Sequence, residues 1–371
     1  KIERTRLERI LFEGLDEILG IGTVNQRFDQ HRWGNMYIGG LRIFFSTLRD
    51  VHRYLGMLSF HTSLFQNTGA FEVNPIDLIA LEVIRVFEPS AYHRIASSKF
   101  ELTERQSSLH GDDDYKKTES VVASMVSQVK EDRQLEIRDL LKQLFPFTEK
   151  VGYSDESLEE WYRDLRVCHP NVFDKYFHLT IPEGDISQAE LDTILNFVGH
   201  RDALVKEFAA LKQRNLLGVM LERLEAYKQK IDIIHALPFV TALFDIGDEL
   251  PEAQPSFYSL GPESHLRRIL FWYLMQEKNV EKRETILIHA SQASSGIYLL
   301  METVSLEQDK RFREKQPEKY LVQDDQSLEK LKSICLKKIE VASTSNVLKD
   351  HPKLIYILYQ WLKWGKEDQV K

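Results

Sequence analysis

Three observations predict an all-α protein. Apolar residues recur at spacings of three and four along most of the 371 residues. Alternating β-branched stretches, the signature of strands, are nearly absent. The periodic stretches also have recognisable helix starts and stops, such as Asn74-Pro75, the Ser187-x-x-Glu190 capping box and Gly20-Ile21-Gly22.

The first helix is expected over Arg4–Leu19, with Leu7, Ile10, Leu11, Leu15 and Leu19 on one face. Asn25–Asn35 reads as polar loop or short helix. A strong helix is expected from Leu41, where Leu41, Phe44, Leu48, Val51, Leu55 and Leu58 share a face. Arg42, Ser46, Arg49 and Arg53 recur the same way on another face. At ~1.5 Å per residue, one continuous helix would set Arg42 and Arg53 about 16 Å apart on a common stripe. The next helix is capped by Asn74, with Pro75 at its first position and Asp77 near the positive end of its dipole. Its body, Ile76–Phe87, is apolar almost all round and should be buried, and Pro89 ends it.

Single helices are then expected over Ser90–Glu104 and Glu119–Phe145, separated by a solvated connection at 107–118 (SSLHGDDDYKKT). Ser157–Val167 is a shorter helix, and Tyr176–Ile181 (YFHLTI) is the most strand-like piece of the chain. Further helices are placed at Ser187–Arg214, Leu216–Ala236, Pro238–Phe244, Glu263–Gln276, Val280–Val304, Pro317–Leu321, Gln326–Ser343 and Pro352–Trp364.

The length suits two or three units, and 43% hydrophobic with 29% charged residues is ordinary for a soluble protein. A net charge of −8 argues against a general nucleic-acid coat. Two cysteines, Cys168 and Cys335, leave no disulfide framework and suit a reducing cytoplasm. No apolar run reaches membrane-span length, and no signal peptide is visible. The opening at Lys1, without a methionine, reads as a fragment or a processed chain.

Several ordered segments resemble the KAP family of P-loop NTPases. They are Lys1–Leu19, Arg32–Asn35 (RWGN), the T-L-R-D-V-H-R-Y-L and E-V-N-P-I-D-L-I-A-L-E-V-I-R-V-F-E-P runs, Glu160–Ile186, and Leu243–Pro251 (LFDIGDELP). Together they span roughly two-thirds of the chain. The resemblance implies an α/β nucleotide-binding core just before Lys1, with ATP and Mg bound in the intact protein. It also implies ATP-driven conformational change in a bacterial cytoplasm, and a setting in antiphage defence. Residues 1–106 would then form a lid-like helical subdomain adjoining that core, 107–118 a linker, and 119–371 a C-terminal helical domain. The family's G-x-x-x-x-G-K-[ST] loop is missing, since the only Gly-Lys pair, Gly365-Lys366, is followed by Glu. The chain alone is therefore not expected to hydrolyse ATP, to have catalytic residues, or to hold a metal or cofactor.

In that setting Arg49 and Arg53 are the candidate nucleotide-sensing residues. Guanidiniums on a helix beside an NTPase core could reach the γ-phosphate and report its presence. The bland account makes them a solvated face, with Arg53 paired to Asp50 or a nearby Glu. Val240–Asp245 imitates a magnesium-binding strand but reads as a helix ending in an acidic turn. Cys168, His169, His178 and His200 lack zinc spacing, and Asp112–Asp114 read as solvated charge. Trp161, Tyr162, Phe173, Tyr176 and Phe177 read as core, as do Tyr356, Tyr359, Trp361 and Trp364. The expected partners are the upstream NTPase core, with protein partners or self-association beyond it. Two rivals come from other classes: a non-enzymatic helical scaffold, and a nucleic-acid-binding effector using the Arg42–Arg53 stripe.

Overall fold

A computed structural model describes residues 3–20, 27–65, 71–104, 111–179, 184–250, 260–313 and 316–365. All regular structure among them is helical, so the all-α expectation is met. The chain divides into two compact units, Lys1–Ala189 and Glu190–Lys371. That division differs from the expected one, in which 107–118 was a linker. Gly111–Thr118 instead begins a helix, and 105–110 lie outside the described residues.

The first unit contains α1 (Arg4–Leu19), α2 (Gln30–Met36), α3 (Leu48–Phe65), α4 (Pro75–Phe87), α5 (Pro89–Ala96), α6 (Lys99–Thr103), α7 (Gly111–Val126), α8 (Gln134–Leu144), α9 (Asp155–Arg163) and α10 (Pro170–His178). Its centre is α4, whose residues from Pro75 to Ile84 are all buried. The helix begins as its sequence requires: the Asn74 side chain accepts from the Ile76 and Asp77 amides at 3.1 and 3.3 Å, and Pro75 follows the cap.

The helix expected from Leu41 is broken. Tyr37–Leu41 forms a π turn, Arg42–Phe44 a 3-10 turn, and α3 starts afresh at Leu48. A capping box drives the restart: Thr47 N–H donates to the Asp50 carboxylate at 2.9 Å, and the Asp50 amide donates back to the Thr47 hydroxyl at 3.2 Å. The break lets the consecutive Phe44 and Phe45 both turn inward onto Phe87, at 5.6 and 5.8 Å between ring centres. Close packing fixes the π turn: a Cβ on Gly40 would lie 2.4 Å from Leu140. Arg42 therefore leaves the α3 stripe and pairs with Glu8 of α1 at 2.6 Å.

Other long expectations split in the same way. Ser90–Glu104 becomes α5 and α6, with the Ser97 and Ser98 hydroxyls donating to the Arg94 carbonyl between them. Glu119–Phe145 becomes α7 and α8, where Gln134 Nε2 donates to the Val129 carbonyl at 3.1 Å and closes the intervening turn. The strand-like Tyr176–His178 is the end of α10; Leu179 follows in the left-handed region at φ 54°, and Thr180–Ile181 lie outside the described residues. The aromatic core expectation is met by Trp161, Tyr162, Phe173 and Tyr176, all buried, while Phe177 is half-buried.

The second unit contains α11 (Gln188–Asn196), which straddles the division, then α12 (Arg201–Gln213), α13 (Leu217–Glu225), α14 (Ala236–Gly247), α15 (Pro262–Leu274), α16 (Val280–Ala293), α17 (Tyr298–Arg313), α18 (Asp325–Thr344) and α19 (Leu354–Trp364). Here α14 is the buried centre, packed against α12, α15, α16 and α17. The helix expected over Ser187–Arg214 is two, because the chain turns at Gly199, where the His235 ring fills the space a Cβ would need. The one expected over Val280–Val304 is also two, α16 and α17. Of the C-terminal aromatics only Trp361 is buried, and Tyr359 is exposed at 61%. No helix among the described residues is long and apolar enough to cross a membrane.

The break before α17 gives a direct test. A Cβ on Gly296 would stand 1.9 Å from the Phe244 carbonyl oxygen. Gly296→Ala should cost about 1–3 kcal/mol as backbone and neighbours shift, read as a lowered urea midpoint.

Candidate functional site

The sequence-predicted pair lies on α3. Val51, Tyr54, Leu58, His61, Thr62 and Phe65 turn inward, and Arg49, Arg53, Met57 and Phe60 turn outward. The inward face is tied to α4: the Tyr54 hydroxyl donates to the Ile79 carbonyl at 3.0 Å, and His61 Nδ1 lies 3.2 Å from the buried Glu82 carboxylate. Arg85 donates to Glu82 at 2.8 Å and contacts the same imidazole. Arg49 is exposed and has no ion-pair partner among the described residues. Arg53 stacks over the Phe87 ring at 4.7 Å rather than pairing with Asp50, whose carboxylate serves Thr47. Arg42, the third member of the expected stripe, is bound elsewhere, so the nucleic-acid alternative loses its continuous basic face.

At the start of α4 is a charge centre that the periodicity did not predict. The Asp77 side chain is fully buried, between Arg32 of α2 and Arg166 of the turn after α9. Arg166 Nε donates to one carboxylate oxygen at 2.9 Å, and the Val167 amide donates to the same atom at 2.9 Å. Arg32 donates to the other oxygen and, at 3.1 Å, to Asn74 Oδ1. Asn74 in turn donates through its amide nitrogen to the Asp164 carbonyl at 3.1 Å, and its N–H meets Tyr176 Oη at 2.8 Å. Tyr176 donates to the carbonyl of Leu165 at 2.6 Å, and Leu165 stands in the left-handed region at φ 52°.

Burial alone would push the Asp77 carboxyl up; Arg166, Arg32 and the Val167 amide outweigh it and hold it below the usual carboxylate range. Both oxygens are committed, so the cluster offers neither a base nor a metal ligand. Its members come from RWGN, VNPID and DLRVCHP, three of the segments that carry the resemblance. Their charges were the available signal; what hid them is separations of 45 and 89 residues between the partners.

The second unit has an analogous acidic junction. Asp245, the end of the strand-like VTALFD run, sits in the last turn of α14, which is a helix as expected. One of its oxygens accepts from the Ser295 amide, the Ser295 hydroxyl and the Gly296 amide at 2.6, 2.8 and 3.2 Å, and the other from Arg201 at 2.8 Å. Asp248 accepts from the Ile297 and Tyr298 amides at 2.8 and 2.7 Å. Asp248 thus satisfies two open N–H groups at the start of α17, and Asp245 those of the turn that leads into it. A cleft of about 970 Å³ opens beside them, with Lys338 and His351 on its wall. Lys338 donates to the Ser294 carbonyl that ends α16, and His351 Nε2 lies 3.3 Å from Asp248.

No group of three or more His, Cys, Asp or Glu side chains among the described residues is arranged to hold a metal ion. His169 stacks on Tyr162 with ring centres 4.2 Å apart, and its Nδ1 accepts from the Asn171 amide. Burial pushes both thiols, Cys168 and Cys335, up to about 12. Comparison with protein families, with curated proteins and with solved structures returns no match.

Two measurements follow. Asp77→Ala leaves the buried Arg166 and the half-buried Arg32 without their carboxylate and should cost about 3–5 kcal/mol in urea unfolding at neutral pH. Because the folded carboxyl titrates below its unfolded value near 4, the gap from wild type should narrow as the pH falls below about 4. A thiol-reactive probe should label neither cysteine in the native protein and both in denaturant.

Proposed function

We propose that this chain is the helical nucleotide-sensing and signal-transmitting part of a KAP-type P-loop ATPase. On this reading ATP and Mg are held by a phosphate-loop core outside the chain, and the chain alone does not hydrolyse ATP. The observation that carries the reading is the α3 face. Arg49 and Arg53 project one helical turn apart from a helix whose opposite side is locked to the buried α4, and Arg49 has no ion-pair partner among the described residues. A guanidinium placed in this way suits two-point contact with a phosphate, and its preorganised fork loses little entropy on binding.

The route for a signal follows from the same contacts. A shift of α3 on phosphate binding would load Tyr54–Ile79 and the His61–Glu82–Arg85 group, and so reach α4. The Asp77 cluster then fixes α4 against α2 and the turn after α9. Support for treating these segments as one working unit is their convergence on that cluster. The biological setting drawn from the resemblance is a bacterial cytoplasm and antiphage defence, with the upstream core as the first partner.

The experiment is done on the protein as its host makes it. The reading expects an intact mass well above 43.4 kDa and a phosphate loop in the additional sequence. In that protein Arg49→Ala should lower ATP affinity or turnover at least about tenfold, a loss of ~1.4 kcal/mol, while Arg42→Ala stays near wild type. Unchanged ATP affinity and turnover in Arg49→Ala would replace this reading with the non-enzymatic scaffold.

A further inference from the structure

One lysine of the unit Lys1–Ala189 is buried against two carboxylates and takes no part in the nucleotide reading. Lys175 lies in the second half of α10, and its side chain is 2% exposed. Its ammonium stands 2.8 Å from Oδ2 of Asp185, which precedes α11, and 3.7 Å from Oε2 of Glu72, which precedes α4. The Glu72 side chain is as deeply buried as the lysine, and that of Asp185 is 16% exposed. Phe71, Val73, Tyr176 and Ile186, next to them in sequence, are buried as well.

A backbone amide orients each carboxylate. The Ile186 N–H donates to Asp185 Oδ1 at 2.7 Å, and Oδ2 is the oxygen that meets the lysine. The Gln188 N–H donates to Glu72 Oε1 at 2.8 Å, and Oε2 is the oxygen nearer the ammonium. One carboxylate neutralises an ammonium; burying a second beside the pair adds a desolvation cost. The set has instead the parts of an acyl transfer. An amine touches a carboxyl group, an N–H faces the oxygen where negative charge would develop, and a second carboxyl stands by to carry protons. Folding holds the amine and the carboxyl group together, so their encounter costs no further entropy.

We propose that Lys175 and Asp185 condense in the folded protein to form an intramolecular isopeptide bond. The first proton passes from the ammonium through Glu72 to Asp185 Oδ2, giving a neutral amine and a neutral carboxylic acid. Nζ then attacks Cγ, and Oδ1 takes up the developing charge against the Ile186 amide. The second proton follows the same route, the Cγ–Oδ2 bond breaks, and Oδ2 leaves as water. The third proton stays on the new amide nitrogen, and Glu72 ends as it began. The product replaces two charges with a neutral amide, which removes their desolvation cost. It also ties α10 covalently to the lead into α11.

The test is the intact mass of the purified full chain, denatured for measurement, which should be one water molecule lighter than its sequence. A tryptic digest should yield a branched peptide in which Lys175 is uncleaved and joined to Asp185. Lys175→Arg should restore the full mass, which separates this bond from a succinimide formed at Asp185 alone. Glu72→Gln keeps the shape of the side chain but cannot carry protons, and it too should stay at full mass. Circular dichroism checks that both variants keep their helices, and the wild-type measurement decides even where a variant fails to fold. A wild-type chain at full mass, a water loss without the branched peptide, or a water loss that persists in Lys175→Arg would overturn the proposal. Complete bond formation in Glu72→Gln would overturn the proton path assigned to Glu72.

Discussion

The first unit depends on one carboxylate with no access to water. Asp77 stands in the first turn of its most buried helix, where an uncompensated charge would cost several kcal/mol. Two guanidiniums and one backbone amide compensate it: Arg32 from α2, and Arg166 with the adjacent Val167 amide from the turn after α9. Forming the cluster therefore fixes the α2 segment, the start of α4 and the turn after α9 together. Arg166 extends the tie by donating to the Gln143 carbonyl of α8 at 2.8 Å. Replacing such a cluster with apolar residues could leave stability unchanged, so its more specific service is register. A slip of α4 by one residue would strand the carboxylate away from both arginines.

The second unit solves a similar problem with backbone donors. Asp245 and Asp248 end α14; Asp245 receives the Gly296 amide of the turn into α17, and Asp248 receives the Ile297 and Tyr298 amides at its start. Close approach makes this feasible, which is why Gly296 must lack a side chain. Asp245, which imitates a magnesium-binding position in the sequence, is consumed by structure. Arg49 and Arg53, by contrast, stand exposed on α3.

How much of this was readable in advance follows from where each determinant lies. Everything that defines α4 is local: Asn74, Pro75, Asp77 and the apolar body are adjacent in sequence, and the helix matches its expected span. The outward placement of Arg49 and Arg53 was readable from the same periodicity. The breaks at Phe45–Thr47 and Ser294–Ile297 were not, because apolar spacing continues across both of them. The last is set by partners about fifty residues away in α14, which no short window includes. Thr47-x-x-Asp50 was the exception, a capping box visible in the sequence that marks a restart where periodicity suggested continuity. Arg32 and Arg166 were visible as charges within distinctive segments, but only the fold joins them to Asp77.

On the proposed function, a charge-locked frame presents an outward α3 face to a nucleotide. Hydrogen exchange on the intact protein, with and without a non-hydrolysable ATP analogue, tests it most directly. Amides of Leu48–Gly56 should gain protection on nucleotide binding, while those around Asn74–Asp77 and Leu165–Val167 stay slow in both states. Unchanged exchange over Leu48–Gly56, or fast exchange around the Asp77 cluster before nucleotide is added, would contradict it.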